Sequence, residues 1–476
     1  MKQPESTAQE VNAELIRRYN VSGPRYTSYP TALQFAPYTE ATFKEVVKSS
    51  MLSAKRSNNI GEDLSIYVHI PFCATLCYNC ACNKIVTKER EPAAEYLALL
   101  KQELALVASL FKGRMVSQLH WGGGTPTSFD DDQLIELMNA LKAAFDFRSD
   151  REGEFGIEID PRTVDAERVG YLRRCGFNRL SFGIQDFNPV VQKAVNRIQT
   201  YAQTEEILNA ARDNGFESIS VDLIYGLPHQ SVFTFDETLK QIIDLRPDRV
   251  SIFNYAHLPE RFSPQKRILV SDLPAPNEKL EILSLCIERL TGAGYVYIGM
   301  DHFALPDDEL AIAQKEGTLH RNFQGYSTYA DCDLLALGVT GISHIGDSYS
   351  QNVKDLETYR EKLQAGSIPV EKGVLIGHDD LIRKAVINAL ICQFELTFAT
   401  IENTFDIDFQ AYFSQELDTL KLMAADGLLV IFSGQIKVQE SGRLLIRNNL
   451  YGVRSLHFVR WYAGIFKSNL VKVVAY

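Results

Sequence analysis

The sequence predicts an α/β chain built on a partial parallel barrel, and three observations carry that expectation. From residue 64 onward, short apolar runs alternate with amphipathic stretches, the rhythm of a parallel sheet with crossover helices. No Gly-x-Gly-x-x-Gly string opens a helix after the first strand, which argues against a dinucleotide-binding sheet. The chemically unusual residues fall at the C-terminal ends of the apolar runs, where barrels carry their chemistry.

The elements follow in order. Residues 1–60 read as an N-terminal arm, because Ser22–Thr31 is too rich in Pro and Gly for a helix and its aromatics suggest packing on something. Residues 61–300 hold six strand-like runs: Leu64–Phe72, Gln118–Gly124, Gly156–Pro161, Arg179–Gln185, Ser220–Pro228 and Arg249–Leu258. Helical patterns at 92–111, 131–145, 202–214 and 233–245 separate them, giving a (β/α)6 partial barrel of TIM-like type. A helix at 275–294 and a strand near Tyr295–Met300 close this part. Residues 301–370, Gly- and Asp-rich at first, read as loops over a site and a connection. Residues 371–476 read as a small, mainly helical domain of winged-helix-like outline, with helices at 376–393, 398–405 and 408–425 and a β pair at Leu428–Ser433 and Gln435–Gln439.

Composition excludes several function classes. A chain of 476 residues has room for two or three domains of ~100–200 residues each. Hydrophobic residues at 45% and charged residues at 23% exclude disorder and fibrous repeats. Lys plus Arg is 49 and Asp plus Glu is 60, so the net charge is −11. Such a chain is a poor binder of nucleic acid and of anionic membranes, and an anionic substrate would need a local Arg cluster. No apolar stretch approaches the ~20 residues of a membrane span. Met1–Glu14 lacks the basic start and apolar run of a secretory signal, so the expected location is the cytoplasm. Thiols stay reduced there, and clustered cysteines read first as a metal or redox site.

Four of the eight cysteines lie within ten residues: Cys73, Cys77, Cys80 and Cys82, in a C-x3-C-x2-C-x-C string directly after the first strand. Zinc prefers four thiolate or imidazole ligands in separated pairs. An iron–sulfur cluster accepts closely spaced thiolates on one loop, and three cysteines on a cubane leave one iron open for a small chelating ligand. The spacing favours the cluster over zinc and over an incidental group of cysteines.

With its place after the first barrel strand, this string resembles the signature of the radical S-adenosylmethionine enzymes. The longer strings Pro24–Thr31, Tyr67–Cys73, His120–Thr127, Phe253–His257, Gly299–Phe303 and His320–Tyr326 are similar to those of the oxygen-independent coproporphyrinogen III oxidases, from about residue 15 to about 448. The resemblance implies one [4Fe–4S] cluster on Cys73, Cys77 and Cys80, with Cys82 free beside it for electron or proton transfer. It implies S-adenosylmethionine, in two molecules. The first would contact Tyr67, Asn79, Gly123, Glu158 and Ile342. The second would contact Gly124, Thr125, Gln185, Arg197, Asp222 and Ala256. It implies coproporphyrinogen III as substrate, two of whose propionates become vinyls through a 5′-deoxyadenosyl radical, in heme biosynthesis. It also implies an electron donor and an acceptor in the cytoplasm, and a monomer.

Each role has a bland counterpart. Gly122–Gly124 reads as a backbone clamp on a ligand or as a tight turn. Glu158 and Asp160 share a strand face by the two-residue period, and like Arg197 and Asp222 they suit a ligand or a barrel salt bridge. Tyr67 and His69 share a face too, but a lone strand histidine is more often a satisfied core residue, and His69 is given no role. Arg25 and Arg321 are the cations that would group around propionates, and Gln324 is the other polar residue of those strings.

Two features depart from the family. The residue before the third cluster cysteine is usually aromatic and packs on adenine; here it is Asn79. The tail Asn449–Tyr476 is basic and aromatic, and reads as a divergent capping helix or a shifted reading frame before it reads as a membrane or partner contact. The rival functions are a heme chaperone of radical-SAM type, which the arm and Cys82 disfavour, and another heme-acting radical enzyme.

Overall fold

The computed structural model describes residues 27–56, 63–329, 332–443 and 445–446. Arg25, half of the expected arm (residues 1–26 and 57–60) and the tail 449–476 lie outside them.

Six strands alternate with helices: β1 (Leu64–Ile70), α1 (Glu91–Val107), β2 (Met115–Gly123), α2 (Asp131–Ala144), β3 (Glu154–Ile159), α3 (Ala166–Cys175), β4 (Arg179–Gln185), α4 (Tyr201–Asp213), β5 (Ser218–Tyr225), α5 (Val232–Leu245) and β6 (Arg249–Asn254). Local chemistry sets the helix starts. Asp130 and Gln133 form a reciprocal capping box on α2, Ser231 and Thr234 another on α5, and Asp165 and Thr200 cap α3 and α4. Each cap satisfies backbone N–H groups that the first turn leaves without partners. Helix α3 stops at Gly176, whose φ of 111° favours glycine.

These strands are parallel neighbours in chain order from β1 to β6. Alternation then sorts their side chains. On β4, Leu180, Phe182 and Ile184 are buried beneath the helices, while Arg179, Ser181, Gly183 and Gln185 face the other way. On β5 the same rule puts Ile219, Val221, Leu223 and Tyr225 on one face and Ser220, Asp222 and Ile224 on the other. The inner wall is therefore polar and the outer wall apolar. Trp121 is fully buried and meets Phe177 edge-on at 5.1 Å.

After α6 (Pro276–Gly292), an antiparallel pair, β7 (Val296–Gly299) and β8 (His302–Ala304), joins the sheet through β8 on β6. A hairpin follows, β9 (His320–Asn322) with β10 (Gly325–Ser327). Then β11 (Asp333–Leu337) pairs parallel to the far side of β1. Strands β12 (Ile342–His344), β13 (Ser348–Asn352) and β14 (Val370–Leu375) extend that side antiparallel. Ala36–Pro37 pairs antiparallel on β14 as the outermost strand, and the hydrogen-bonded order runs on through β14-β13-β12-β11-β1-β2-β3-β4-β5-β6-β8-β7, with no bond between the two edges among the described residues. This is a partial barrel, as expected, with a seventh parallel strand.

The expectation of loops across 301–350 is corrected. That stretch holds β8 to β12 and most of β13. The runs Asp333–Leu337 and Ile342–His344 are only five and three residues long and are flanked by glycines, so glycine content masked strands whose first member is wholly buried.

The C-terminal region matches its outline. Helices α7 (His378–Gln393), α8 (Phe398–Phe405) and α9 (Ser414–Ala425) surround a small sheet in which β15 (Glu395–Thr397) and β16 (Leu429–Phe432) flank β17 (Gln435–Val438). Its apolar core also draws on Ile298, Met300, Leu319 and Tyr326. The region is thus packed onto the β7–β10 end of the barrel.

Candidate active site

The cysteine loop leaves the C-terminal end of β1. Phe72–Cys73 pairs with Ile85–Val86, so residues 74–84 form a closed excursion. Two later segments clamp it. The Tyr78 N–H donates to Val195 O at 2.9 Å, and Asn196 Nδ2 donates to Leu76 O at 2.8 Å. Gln265 Nε2 donates to Asn79 O at 3.2 Å.

Beneath the loop lies a cavity of about 560 Å³ at the C-terminal ends of the strands. Cys73, Cys77, Cys80 and Cys82 all line it. So do Asn79, Gly123, Gly124, Thr125 and Glu158, and, around the wall, Gln185, Arg197, Asp222 and Ala256. The fold thus gathers thirteen of the fifteen expected residues on one surface. Tyr67 and Ile342 are not on that wall. The Tyr67 hydroxyl bonds instead with His69 Nδ1 at 3.2 Å, and its ring stacks on His120 with centroids 6.0 Å apart. His69 is satisfied within the protein through Asn83 O, as the bland reading has it.

The glycines are also demanded by packing within the chain. A Cβ on Gly122 would meet Glu158 Oε1 at 2.8 Å, one on Gly123 the His69 ring at 2.7 Å, and one on Gly124 the Phe72 carbonyl oxygen at 2.7 Å. Glycine is required here because the chain packs against itself. The backbone of Gly123 and Gly124 still faces the cavity.

The sulfurs sit among donors. Thr125 Oγ1 donates to Cys73 Sγ at 3.5 Å, Arg162 Nη2 to Cys77 Sγ at 3.5 Å, and Arg197 Nη1 to Cys77 Sγ at 3.8 Å. A hydrogen bond from Cys82 draws the Cys80 thiol down to about 6, and the same bond, with the charge on Cys80, pushes Cys82 well above the ordinary thiol range. Burial pushes Cys73 up to about 11. No three His, Cys, Asp or Glu side chains among the described residues converge on a single-ion position. A polynuclear cluster does not need that convergence, because each thiolate takes a different iron.

The carboxylates divide into two kinds. Burial works to raise Glu158, but His120 Nε2 at 3.1 Å and the Gly123 N–H at 3.3 Å hold it below the usual range, so it is an anion at the wall. Burial, and then the charge of Glu158, push Asp222 up to about 7. Asp160 is already taken: Arg162 lies 2.6 Å and Arg197 3.2 Å from it. Arg197 also donates to Gly183 O at 2.6 Å.

Several polar atoms of the wall have no partner. Asn79 Oδ1, Gln185 Oε1 and Arg197 Nε are buried without a hydrogen bond. Such atoms cost ~1–3 kcal/mol each when unsatisfied, which marks a surface built for a polar ligand. Gln185 adds backbone strain: it adopts φ 68° at a register shift in β4. Two acceptors, one donor and a carboxylate suit a ligand bearing amino and hydroxyl groups. The thiol loop with its donors suits an iron–sulfur cluster. The residues present therefore fit both groups.

Sequence reasoning missed Arg162 and Gln265. Arg162 lies just past β3, two residues beyond Asp160, and that position was the available signal. Gln265 had none, because its contact spans 186 residues. Arg321 is buried with its guanidinium 4.5 Å from the Tyr326 ring, away from this cavity, and Gln324 accepts from Ser65 at the opposite end of β1.

Residues 67–242 match the radical SAM superfamily, and residues 376–445 match the HemN C-terminal domain. The oxygen-independent coproporphyrinogen III oxidase of Pseudomonas aeruginosa is 52% identical over 439 residues, covering 92% of this chain and 94% of that one. The enzyme of the same name from Escherichia coli is 50% identical over 435 residues, covering 91% and 93%. The solved structure of the Escherichia coli coproporphyrinogen III oxidase, described as a radical SAM enzyme, superposes with a TM-score of 0.86 at 48% identity, covering 93% of this chain and 98% of that one. The chain belongs to the oxygen-independent coproporphyrinogen III oxidases of the radical SAM superfamily.

Proposed function

We infer that this chain catalyses the oxygen-independent conversion of coproporphyrinogen III to protoporphyrinogen IX in heme biosynthesis. The observation that carries this reading is the cavity lined by the cysteine loop, Glu158 and the partnerless side-chain oxygens of Asn79 and Gln185. A [4Fe–4S] cluster with S-adenosylmethionine supplies reductive formation of a 5′-deoxyadenosyl radical there. Each of the two reacting propionates loses a β-hydrogen atom, then carbon dioxide and one electron, and leaves a vinyl group.

The chain's own groups then have definite tasks. Cys73, Cys77 and Cys80 would hold the iron. Thr125, Arg162 and Arg197 donate to the ligand sulfurs and offset their charge. Glu158, held ionised, accepts from the amino group or hydroxyls of the first S-adenosylmethionine. Asn79 accepts from the adenine amine. Gln185, Arg197, Asp222 and Ala256 receive a second molecule. Cys82, protonated and bonded to Cys80, stands ready to move a proton at the cavity edge. Electrons come from a reduced carrier and leave to an acceptor. The reaction is placed in the reducing cytoplasm, and the cavity residues of this chain support action as a monomer. Among the described residues no helix is long and apolar enough to cross a membrane.

The test is anaerobic turnover of the reconstituted chain with S-adenosylmethionine, a strong reductant and coproporphyrinogen III, with products weighed by mass spectrometry. Protoporphyrinogen with 5′-deoxyadenosine is expected. Deoxyadenosine without vinyl product would move the substrate elsewhere. An intact cluster yielding neither would favour a heme-binding chaperone.

A further inference from the structure

The outer face of the cysteine loop carries a patch that the reaction cavity does not use. Its two halves are the segments that clamp the loop. One is 189–198, with Val190 (59% exposed), Lys193 and Ile198 (67% exposed) outward. The other is 260–272, with Lys266, Arg267, Leu269 (61%) and Val270 (71%) outward. A small apolar cluster joins them beneath the surface: Val191 and Val195 from one half, Ile268 from the other, with Tyr78 of the loop packed against it. The Arg267 guanidinium lies 4.9 Å from the Tyr78 ring, and Tyr78 is the residue next to Cys77.

The charge of this patch is out of keeping with the chain. The net charge is −11, and several lysines elsewhere on the surface are paired, as Lys44 with Glu40, Lys101 with Glu136, Lys240 with Glu237 and Lys421 with Asp418, whereas in these two segments Lys193, Arg261, Lys266 and Arg267 outnumber Glu260 and Asp272. Lys193, Lys266 and Arg267 have no ion-pair partner among the described residues. They share these two segments with exposed aliphatic side chains, the mixture of apolar and charged groups that suits a docking surface.

We propose that this patch docks an acidic, one-electron carrier protein with a flavin or iron–sulfur group, which reduces the cluster through the outer face of the loop. The inference rests on the iron–sulfur reading above. The cavity side of the loop is given to the ligands, so the reductant must approach from outside. A carrier with a negative rim is repelled by most of this surface and attracted here, which selects the orientation that brings its redox group to Tyr78 and Cys77. The step balances simply: the carrier loses one electron, the cluster gains one, and no bond or proton moves.

The experiment uses the full chain with its cluster reconstituted, mixed anaerobically with flavodoxin hydroquinone while cluster absorbance is followed. For the wild type, the second-order rate is expected to fall steeply with added salt. In Lys266→Glu/Arg267→Glu, with Lys193→Glu as an independent variant, that rate is expected to drop about tenfold or more. Reduction by dithionite, which needs no docking, is expected to be unchanged. The neutral pair Lys266→Gln/Arg267→Gln, with iron content equal to wild type, covers any misfolding by charge reversal. Equal flavodoxin rates for wild type and variants, or a rate indifferent to salt, would overturn the docking surface. A chain that binds no cluster bleachable by dithionite would instead overturn the iron–sulfur reading.

Discussion

The Arg162 guanidinium reaches the Cys77 sulfur at 3.5 Å while its other contacts, 2.6–3.2 Å long, hold Asp160. The carboxylate fixes the arginine, and the arginine offers a positive donor to a cluster ligand. Hydrogen bonds to ligand sulfurs favour the reduced, more negative state of a cluster. Arg162→Ala is expected to lower the cluster's midpoint potential and to cut turnover by about 10-fold or more. An EPR-monitored redox titration checks it, and a potential equal to wild type would refute this role for Arg162.

Asn79 Oδ1 is buried without a partner on the cavity wall. If it accepts from the adenine amine, Asn79→Ala weakens S-adenosylmethionine binding by about 1–1.5 kcal/mol, or roughly tenfold. An analogue without that amine should lose the same amount against wild type and nothing further against Asn79→Ala. Calorimetric titrations of both ligands on both proteins close the cycle, and purely additive losses would remove adenine from Asn79.

Asp222 carries a raised acid, pushed to about 7 by burial and then by Glu158. Its folded value exceeds its unfolded one of ~3.9, so its stabilising contribution is full below that value and is lost as pH rises through 7. Ligand-free wild type should therefore lose up to about 3 kcal/mol between pH 5 and pH 8 relative to Asp222→Asn. Urea unfolding at both pH values measures this, and a constant difference between the two proteins would contradict it.

A second pH effect lies where the C-terminal region meets the barrel. His320 on β9 faces Asn388 of α7 at 3.4 Å, and Lys384 of the same helix bonds His344 of β12 at 2.9 Å. Burial, then Lys384, pull His320 down to about 4; Asp347 and Asp333 act on Lys384 from the strand side. A base depressed below its unfolded ~6.5 is stabilising above that pH, and the contribution drains away as pH falls toward 4. Wild type should lose about 2 kcal/mol more than His320→Gln between pH 7.5 and pH 5. Parallel denaturant curves for both proteins at the two pH values test it, and equal losses would count against it.

Much of this site was legible because short-range pattern and strand alternation place it. The four clustered cysteines are read together by spacing; Glu158, Gln185 and Asp222 are singled out by the family resemblance, and strand alternation explains why they share the cavity wall. Tyr67 shows the limit of alternation: it has the right face but is held by His69 and His120 rather than by the cavity. Gly122–Gly124 show another. The sequence tells that no Cβ fits, but only the fold tells that Glu158, His69 and the Pro71–Phe72 backbone fill the space. Strand β11 was hidden because Asp333–Leu337 is as short as a loop segment and pairs with a strand some 270 residues earlier.

The bond from Gln265 to the Asn79 carbonyl also orders events in time. The cysteine loop is made 186 residues before the side chain that completes its clamp. At the ribosome's ~5–20 residues per second, the four thiols are synthesised roughly 10–40 s ahead of that partner. Iron delivered during translation would meet a loop whose thiols are not yet held in their final places. A chain truncated before Gln265 is expected to leave its cysteines exposed to oxidation.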